Sequence, residues 1–307
     1  MYRISGVHHV ALGVKDFKGM KSFYQEILGF NKLFMEFPEI EHVEIREVMR
    51  GMHPVFGAAL VYHEAGGIIL ELVHLSTPVP RPIRKDFRYG DIGVNKISVA
   101  VSNVEKVYGE LKNKVDFCSL PKSVDIPGWG SYSFVYCKDP EGNMIEFVAA
   151  GKMQVDSRYG GVRWLGVGVT DLARSISFYQ KYAGFDTVVI DVHDTFSGLV
   201  DEVTGYEQSE VRSCLLASGN GNGMVELFEV LKPRGRSIPS FTMWGDYGYW
   251  QTCLNCDNVR EITSYLEKEG IDFFTSLQLM NDEHQGSFIY VQDPDGIPVE
   301  FLGFLKP

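Results

Sequence analysis

Phe23-Tyr24-Gln25-Glu26-Ile27-Leu28-Gly29-Phe30 returns, 155 positions further on, as Phe178-Tyr179-Gln180-Lys181-Tyr182-Ala183-Gly184-Phe185. A second landmark keeps step with the first. Asp139-Pro140-Glu141-Gly142-Asn143-Met144-Ile145-Glu146-Phe147 returns 154 positions later as Asp293-Pro294-Asp295-Gly296-Ile297-Pro298-Val299-Glu300-Phe301. Two unrelated strings in register over half the chain define a tandem duplication, so equivalent positions can be compared between copies. The expected boundary separates residues 1–151 from 152–307, in the polar, glycine-containing stretch Gly151–Gly161.

Each half divides again. Val7–Val14 alternates like a strand, and Asp16–Leu28 carries Phe17, Met20, Phe23, Tyr24, Ile27 and Leu28 at helical spacing. Gly29 stops that helix. Strands near Phe30–Glu36, Phe56–His63 and Gly67–Leu75 complete a first unit. Glu36–Pro54 reads as an insertion holding a short amphipathic helix around Glu41–Met49. The second unit has a strand at Val94–Val101, a helix at Val104–Asn113, and strands at Tyr132–Lys138 and Met144–Ala150. In Asp139-Pro140-Glu141-Gly142, proline presets one φ and glycine accepts a positive one, which suits a hairpin turn. The third unit runs from Val162 to Val230 and the fourth from Tyr249 to Phe304, with the same order of elements. Proline-bearing connectors lie at Ser76–Asp91 and Leu231–Gly248. Periodicity alone gives a mixed helix-and-strand protein.

Composition narrows the partners. The chain has 307 residues, 45% apolar and 22% charged, as expected for two globular domains. A net charge of −11 argues against nucleic acid or an anionic membrane surface as partner. The basic groups Arg81, Arg84, Lys85, Arg88, Lys232, Arg234 and Arg236 read as solvated loops. No apolar run reaches the roughly eighteen residues of a membrane span. The start, Met1–Gly6, lacks the apolar core of a secretion signal, so the cytoplasm is the expected location. Five cysteines fit free thiols. Cys253-Leu254-Asn255-Cys256 matches a C-x-x-C string, but within a strand its odd spacing sends the two thiols to opposite faces. A joint redox or zinc site there is not expected.

Four βαβββ units in tandem resemble the vicinal oxygen chelate superfamily, which includes glyoxalase I, methylmalonyl-CoA epimerase, extradiol dioxygenases and the bleomycin and fosfomycin resistance proteins. The strings that carry the resemblance are His9-Val10-Ala11-Leu12-Gly13-Val14-Lys15-Asp16 leading into Phe23-Tyr24 and Leu28-Gly29, and the closing Asp-Pro-x-Gly…Glu-Phe hairpins. They cover essentially the whole chain. The resemblance implies an α+β fold in which four βαβββ modules, in two tandem halves, form open U-shaped barrels around a metal: the glyoxalase/bleomycin-resistance fold.

The same resemblance implies one ligand on the first strand and one on the last strand of each unit. First-strand positions are His9, Lys96, Trp164 and Gln251; last-strand positions are Glu71, Glu146, Glu226 and Glu300. A carboxylate inside an apolar run needs a partner, because burying it alone is costly. Pairing decides the sets. Units one and two would combine His9, Glu71, Lys96 and Glu146, spoiled by an ammonium without a lone pair. Units three and four would combine Trp164, Glu226, Gln251 and Glu300, without an imidazole. Units one and four would combine His9, Glu71, Gln251 and Glu300, a glyoxalase-I-like set, leaving Lys96, Glu146, Trp164 and Glu226 as a dead site. The connectors do not choose between these pairings. His8 rivals His9, but strand alternation turns it to the other face, as a packed or surface histidine. His53, His63 and His74 have no ligand spacing.

The expected cofactor is a divalent ion, one of Zn, Ni, Co, Mn or Fe(II). The implied chemistry is chelation of two neighbouring oxygens of a small substrate, stabilising an enediolate or enolate while Glu300 or Glu71 moves the α-proton. A metal-dependent lyase or isomerase, monomeric or homodimeric, leads. The family's glutathione-binding arginine and asparagine correspond here to Gly13 and Leu75, so the expected substrate does not carry glutathione. A non-catalytic drug- or metabolite-binding protein is the alternative, prompted by Lys96 and Trp164. An Fe(II) extradiol dioxygenase is third, since it needs two histidines. Aromatic residues Trp129, Tyr132, Phe241, Trp244, Tyr247, Tyr249 and Trp250 either line a pocket or pack the barrels.

Overall fold

Alternation and capping account for the elements of the computed structural model, which describes residues 2–151, 153, 155–221, 223–280 and 286–304. Lys152 and Gln154 of the expected linker lie outside the described residues. The first module is β1 (Ile4–Gly13), α1 (Phe17–Glu26), β2 (Lys32–Glu41), β3 (Val55–Tyr62) and β4 (Ile69–Thr77). The second is β5 (Gly93–Val101), α2 (Val104–Leu111), β6 (Asp116–Phe117), β7 (Lys122–Ile126), β8 (Gly130–Lys138) and β9 (Met144–Ala150). The third is β10 (Tyr159–Gly168), α3 (Leu172–Lys181), β11 (Thr187–His193), α4 (Ser197–Thr204), β12 (Glu210–Ala217) and β13 (Met224–Lys232). The fourth is β14 (Gly248–Cys256), α5 (Val259–Lys268), β15 (Gln278–Leu279), β16 (Gly286–Gln292) and β17 (Pro298–Phe304). Asp16, Asn103, Asp171 and Asn258 start α1, α2, α3 and α5 by accepting the backbone N–H three residues on. That cap is the usual way to satisfy the first unpaired amides of a helix.

The insertion departs from expectation. Its helix shrinks to a single 3₁₀ turn at Val43–Ile45, because β2 continues to Glu41 and uses the residues that would have opened a helix. Each Asp-Pro-x-Gly does form a turn. The amide of Gly142 donates to the Asp139 carbonyl at 3.0 Å with φ +91°, a region glycine enters without strain.

The strands form two curled sheets. One has the order β15-β16-β17-β14-β1-β4-β3-β2 and joins modules four and one; the other runs β11-β12-β13-β10-β5-β9-β8-β6 and joins modules three and two. In both, the two first strands pair antiparallel at the centre, β1 with β14 and β10 with β5. Neither 1–151 nor 152–307 therefore builds a sheet alone: each half contributes one module to each.

The connectors enforce this crossing. Ser76–Asp91 and Leu231–Gly248 both pass between the sheets and run side by side, with Tyr247 donating to the Arg81 carbonyl and Ile83 to the Tyr247 carbonyl. Arg236 bonds Asp86 and Asp91, and Arg84 donates to the carbonyls of Arg236 and Ser237. Arg84 and Arg236 are thus a clamp between connectors rather than the solvated loop charges expected from sequence.

The convex faces and the helices share one apolar core, containing Val10, Leu12, Tyr24, Val107, Leu165, Tyr179, Leu254 and Ile262. Each concave face has a separate cluster of its own. Cys256 belongs to the shared core and Cys253 to a concave cluster, so the two thiols do face opposite ways. No helix among the described residues is long and apolar enough to cross a membrane.

Candidate metal centre

The pairing of modules one and four brings His9, Glu71, Gln251 and Glu300 together on one concave face. His9 and Gln251 lie on the central strands, where His9 registers with Cys253 and Gln251 with Ala11. Glu71 comes from β4 beside β1, and Glu300 from β17 beside β14. The Nε2 of His9 stands 3.3 Å from Glu71 Oε2 and 3.4 Å from Glu300 Oε2. Gln251 Nε2 donates to Glu300 Oε2 at 2.7 Å. All four side chains are buried. Burial alone would strip His9 of its proton, but Cys253, Glu300 and Glu71 outweigh it and hold the imidazole well above its ordinary value.

The donor set fits a divalent cation. Two carboxylates, an imidazole nitrogen and a side-chain amide come together among buried groups. The Oε1 of Gln251, a strong acceptor, has no hydrogen-bond partner among the described residues. A buried acceptor left bare is uncommon and requires an explanation. A cation bound between these groups supplies one.

His8 differs from its expected orientation. Between Val7 and His9, β1 advances two residues while β14 advances one, a bulge that leaves His8 as the extra residue. Its Nδ1 therefore reaches the Nδ1 of His9 at 2.9 Å instead of facing away. Burial, with repulsion from His9 second, pushes His8 down to about 3, so it stays neutral. A neutral His8 accepting the Nδ1 proton of His9 orients the ring so that Nε2 faces the two carboxylates, where its proton would give way to a bound ion. A compact group of His8, His9 and Cys253 can also be drawn from side-chain distances alone. The His8–His9 hydrogen bond engages one nitrogen of each ring, while His9 Nε2 faces both glutamates, so we favour the set with the two glutamates.

Above the site, Val48 and Met49 of the insertion pack with Phe56, Trp244, Trp250 and Tyr290. Glu47 accepts from the amide and hydroxyl of Ser276, and Arg50 donates to the carbonyls of Ser240 and Thr242. The insertion is thereby fastened across the concave face as an apolar cover. A cavity of about 610 Å³ lies elsewhere, between the connectors and the two Asp-Pro-x-Gly turns; Tyr247, Tyr249 and Trp250 line it, but none of the four candidate ligands does. Its size does not make it the reaction site, because it holds no comparable group of donors.

The other sheet holds the remaining four positions in a closed ionic cluster. The Nζ of Lys96 lies 2.7 Å from both Glu146 Oε2 and Glu226 Oε2 and donates to the Tyr136 hydroxyl at 2.7 Å. Ser98 and Tyr132 also bond Glu146, and Ser213 bonds Glu226. Burial opposes the charge on Lys96, but the two carboxylates raise its affinity for the proton. An ammonium thus occupies the centre of this face, with Trp164 buried beside it. A Cβ at Gly166 would stand 2.5 Å from Lys96 Cε, so glycine there leaves room for the lysine.

Comparison with known proteins follows this geometry. The family model described as the Glyoxalase/Bleomycin resistance protein/Dioxygenase superfamily matches residues 6–147 and again 161–301. Among solved structures, glyoxalase I from Zea mays is similar over 98% of this chain and 93% of its own, at 17% identity and a TM-score of 0.68. A Bacillus subtilis protein, whose assignment as a dioxygenase is provisional, is similar over 98% of this chain and 86% of its own, at 16% identity and a TM-score of 0.57. At such identities the likeness is one of fold. No curated protein sequence matches the chain.

Proposed function

The chain belongs to the glyoxalase/bleomycin resistance protein/dioxygenase superfamily, and from that premise we propose that it is a metal-dependent lyase or isomerase of the glyoxalase type. The observation that carries the reading is the meeting of Glu71 and Glu300 at His9 Nε2, with Gln251 bonded to Glu300 and its Oε1 unpartnered among the described residues. These four residues would hold a divalent ion, which when bound would act as a Lewis acid towards two adjacent substrate oxygens.

The residues divide the remaining work. His9, oriented by His8, presents Nε2. Gln251 pins Glu300, whereas no comparable side chain bonds Glu71 among the described residues. Glu71 is therefore the freer carboxylate and the stronger candidate to take and return the α-proton. The insertion keeps water from the exchange by covering the face with Val48 and Met49.

The substrate class follows from what the face lacks. A side chain at Gly13 would meet the Asp246 carbonyl oxygen at 2.0 Å, so no arginine fits there. Leu75 is buried among apolar neighbours. Neither supports a glutathione conjugate, and a small oxygenated metabolite with an apolar portion fits better. The feature that prompted a non-catalytic reading, Lys96 with Trp164, belongs to the other sheet. A dioxygenase site needs a second imidazole, and His8 is engaged behind His9.

The test is metal content. The purified protein should hold about one equivalent of divalent ion per chain, lost in His9→Ala and Glu300→Gln. Unchanged metal in both variants removes the site.

A further inference from the structure

Cys253 stands among the candidate ligands and has no role in the reading above. It follows Gln251 by two residues on β14, shares its face, and registers with both His9 on β1 and Glu300 on β17. Its sulfur and ring nitrogens of His8 and His9 lie within 4.8 Å of one another, and Cys253 is fully buried. Its contact with the Leu254 carbonyl, at 3.9 Å, is too long to be a strong hydrogen bond. The repeat supplies an independent argument. The equivalent positions are Ala11, Ser98 and Gly166, and Ser98 hydrogen-bonds Glu146, the counterpart of Glu300. A side chain at this position therefore aims at the last-strand glutamate in either sheet. Gln251 Oε1, on the same strand, has no hydrogen-bond partner among the described residues.

We infer that Cys253 is a further protein donor of this site, binding the ion through sulfur and biasing it towards zinc or cobalt over manganese or magnesium. The inference rests on the metal reading of the proposed function. Sulfur is a soft ligand and favours those borderline ions, whereas an all-oxygen and imidazole set accepts harder ones equally well. On binding, the S–H bond breaks, its electron pair forms the sulfur–metal bond, and the proton leaves to solvent; nothing is oxidised. A fifth donor also lets one glutamate serve as base while four protein groups keep the ion in place.

Cobalt(II) added to the metal-free protein tests this directly. The wild type should show visible d–d bands together with intense near-ultraviolet thiolate-to-cobalt absorption. Cys253→Ser and Cys253→Ala should keep the visible bands and lose the near-ultraviolet one, while Cys118→Ser keeps both. The preference for zinc over manganese should fall about tenfold or more in the Cys253 variants. X-ray absorption at the zinc edge of the unmutated protein needs no variant to fold: a sulfur scatterer at about 2.3 Å is expected. Visible cobalt bands without sulfur absorption, or zinc surrounded only by oxygen and nitrogen, overturn the inference and leave the metal site standing. A wild type that binds no cobalt overturns both.

Discussion

The Nε2 of His9 lies 3.4 Å from Glu300 Oε2, although the two residues stand near opposite ends of the chain. The contact exists because β1 and β14 pair at the centre of one sheet, and β17 lies beside β14. Glu300 accepts from Gln251 Nε2, whereas no side-chain amide bonds Glu71 among the described residues.

Glu71→Gln should lower α-proton exchange of a small 2-hydroxycarbonyl compound in deuterated water by about 10²–10⁴-fold, the usual contribution of a general base. Its metal content should fall less than that of Glu300→Gln. Equal losses of exchange and metal in the two variants would contradict the assignment of Glu71 as the freer carboxylate.

Lys96→Met should destabilise the protein by about 3–5 kcal/mol, because it leaves Glu146 and Glu226 as uncompensated buried charges. Metal content at the other sheet should not change. Urea unfolding together with metal analysis reads both; a stable variant would mean that water already screens this cluster.

Trp164→His combined with Lys96→Gln places the residue types of His9 and Gln251 at their equivalent positions beside Glu146 and Glu226. Metal bound per chain should rise from about one equivalent to two. A folded double variant that still binds one equivalent would show that Ser98 and the tyrosines, rather than the lysine, close this face.

Stability should also carry a pH signature from the turns. Burial first of all raises the Asp139 carboxyl to about 6 and that of Asp293 to about 7, against the hydrogen bonds they accept. A folded-state value above the unfolded one favours folding fully below about pH 4, and that contribution is lost as pH rises through 6 to 7. For Asp139 the loss is about 3 kcal/mol. Asp139→Asn does not titrate, so the stability of wild type relative to this variant should decline from pH 4 to pH 8. A flat difference in chemical denaturation would remove the buried aspartate as its source.

Much of the architecture was legible because it repeats locally. The strings around Phe23 and Phe178, and the two Asp-Pro-x-Gly turns, encode the same helix, strand and hairpin twice, and such elements depend on neighbouring residues. The family resemblance, rather than alternation, implied that His9 and Glu71 share a face. His8 escaped the alternation rule because a bulge is a mismatch between two paired strands, and one strand read alone contains no sign of it. Cys253 was dismissed together with Cys256 as a pair; considered alone, its offset of two from Gln251 was the signal that it shares the ligand face.

By itself the sequence determined the four modules, their strand faces and the positions able to offer donors. Only the tertiary structure decided that module one meets module four. Any two first strands present the same backbone amides and carbonyls to each other, so hydrogen bonding cannot choose among pairings. The choice falls to contacts far apart in the chain, above all the Arg84, Arg236 and Asp91 clamp that carries both connectors from one sheet to the other. That crossing joins an imidazole to three further donors on one face and closes the other around an ammonium.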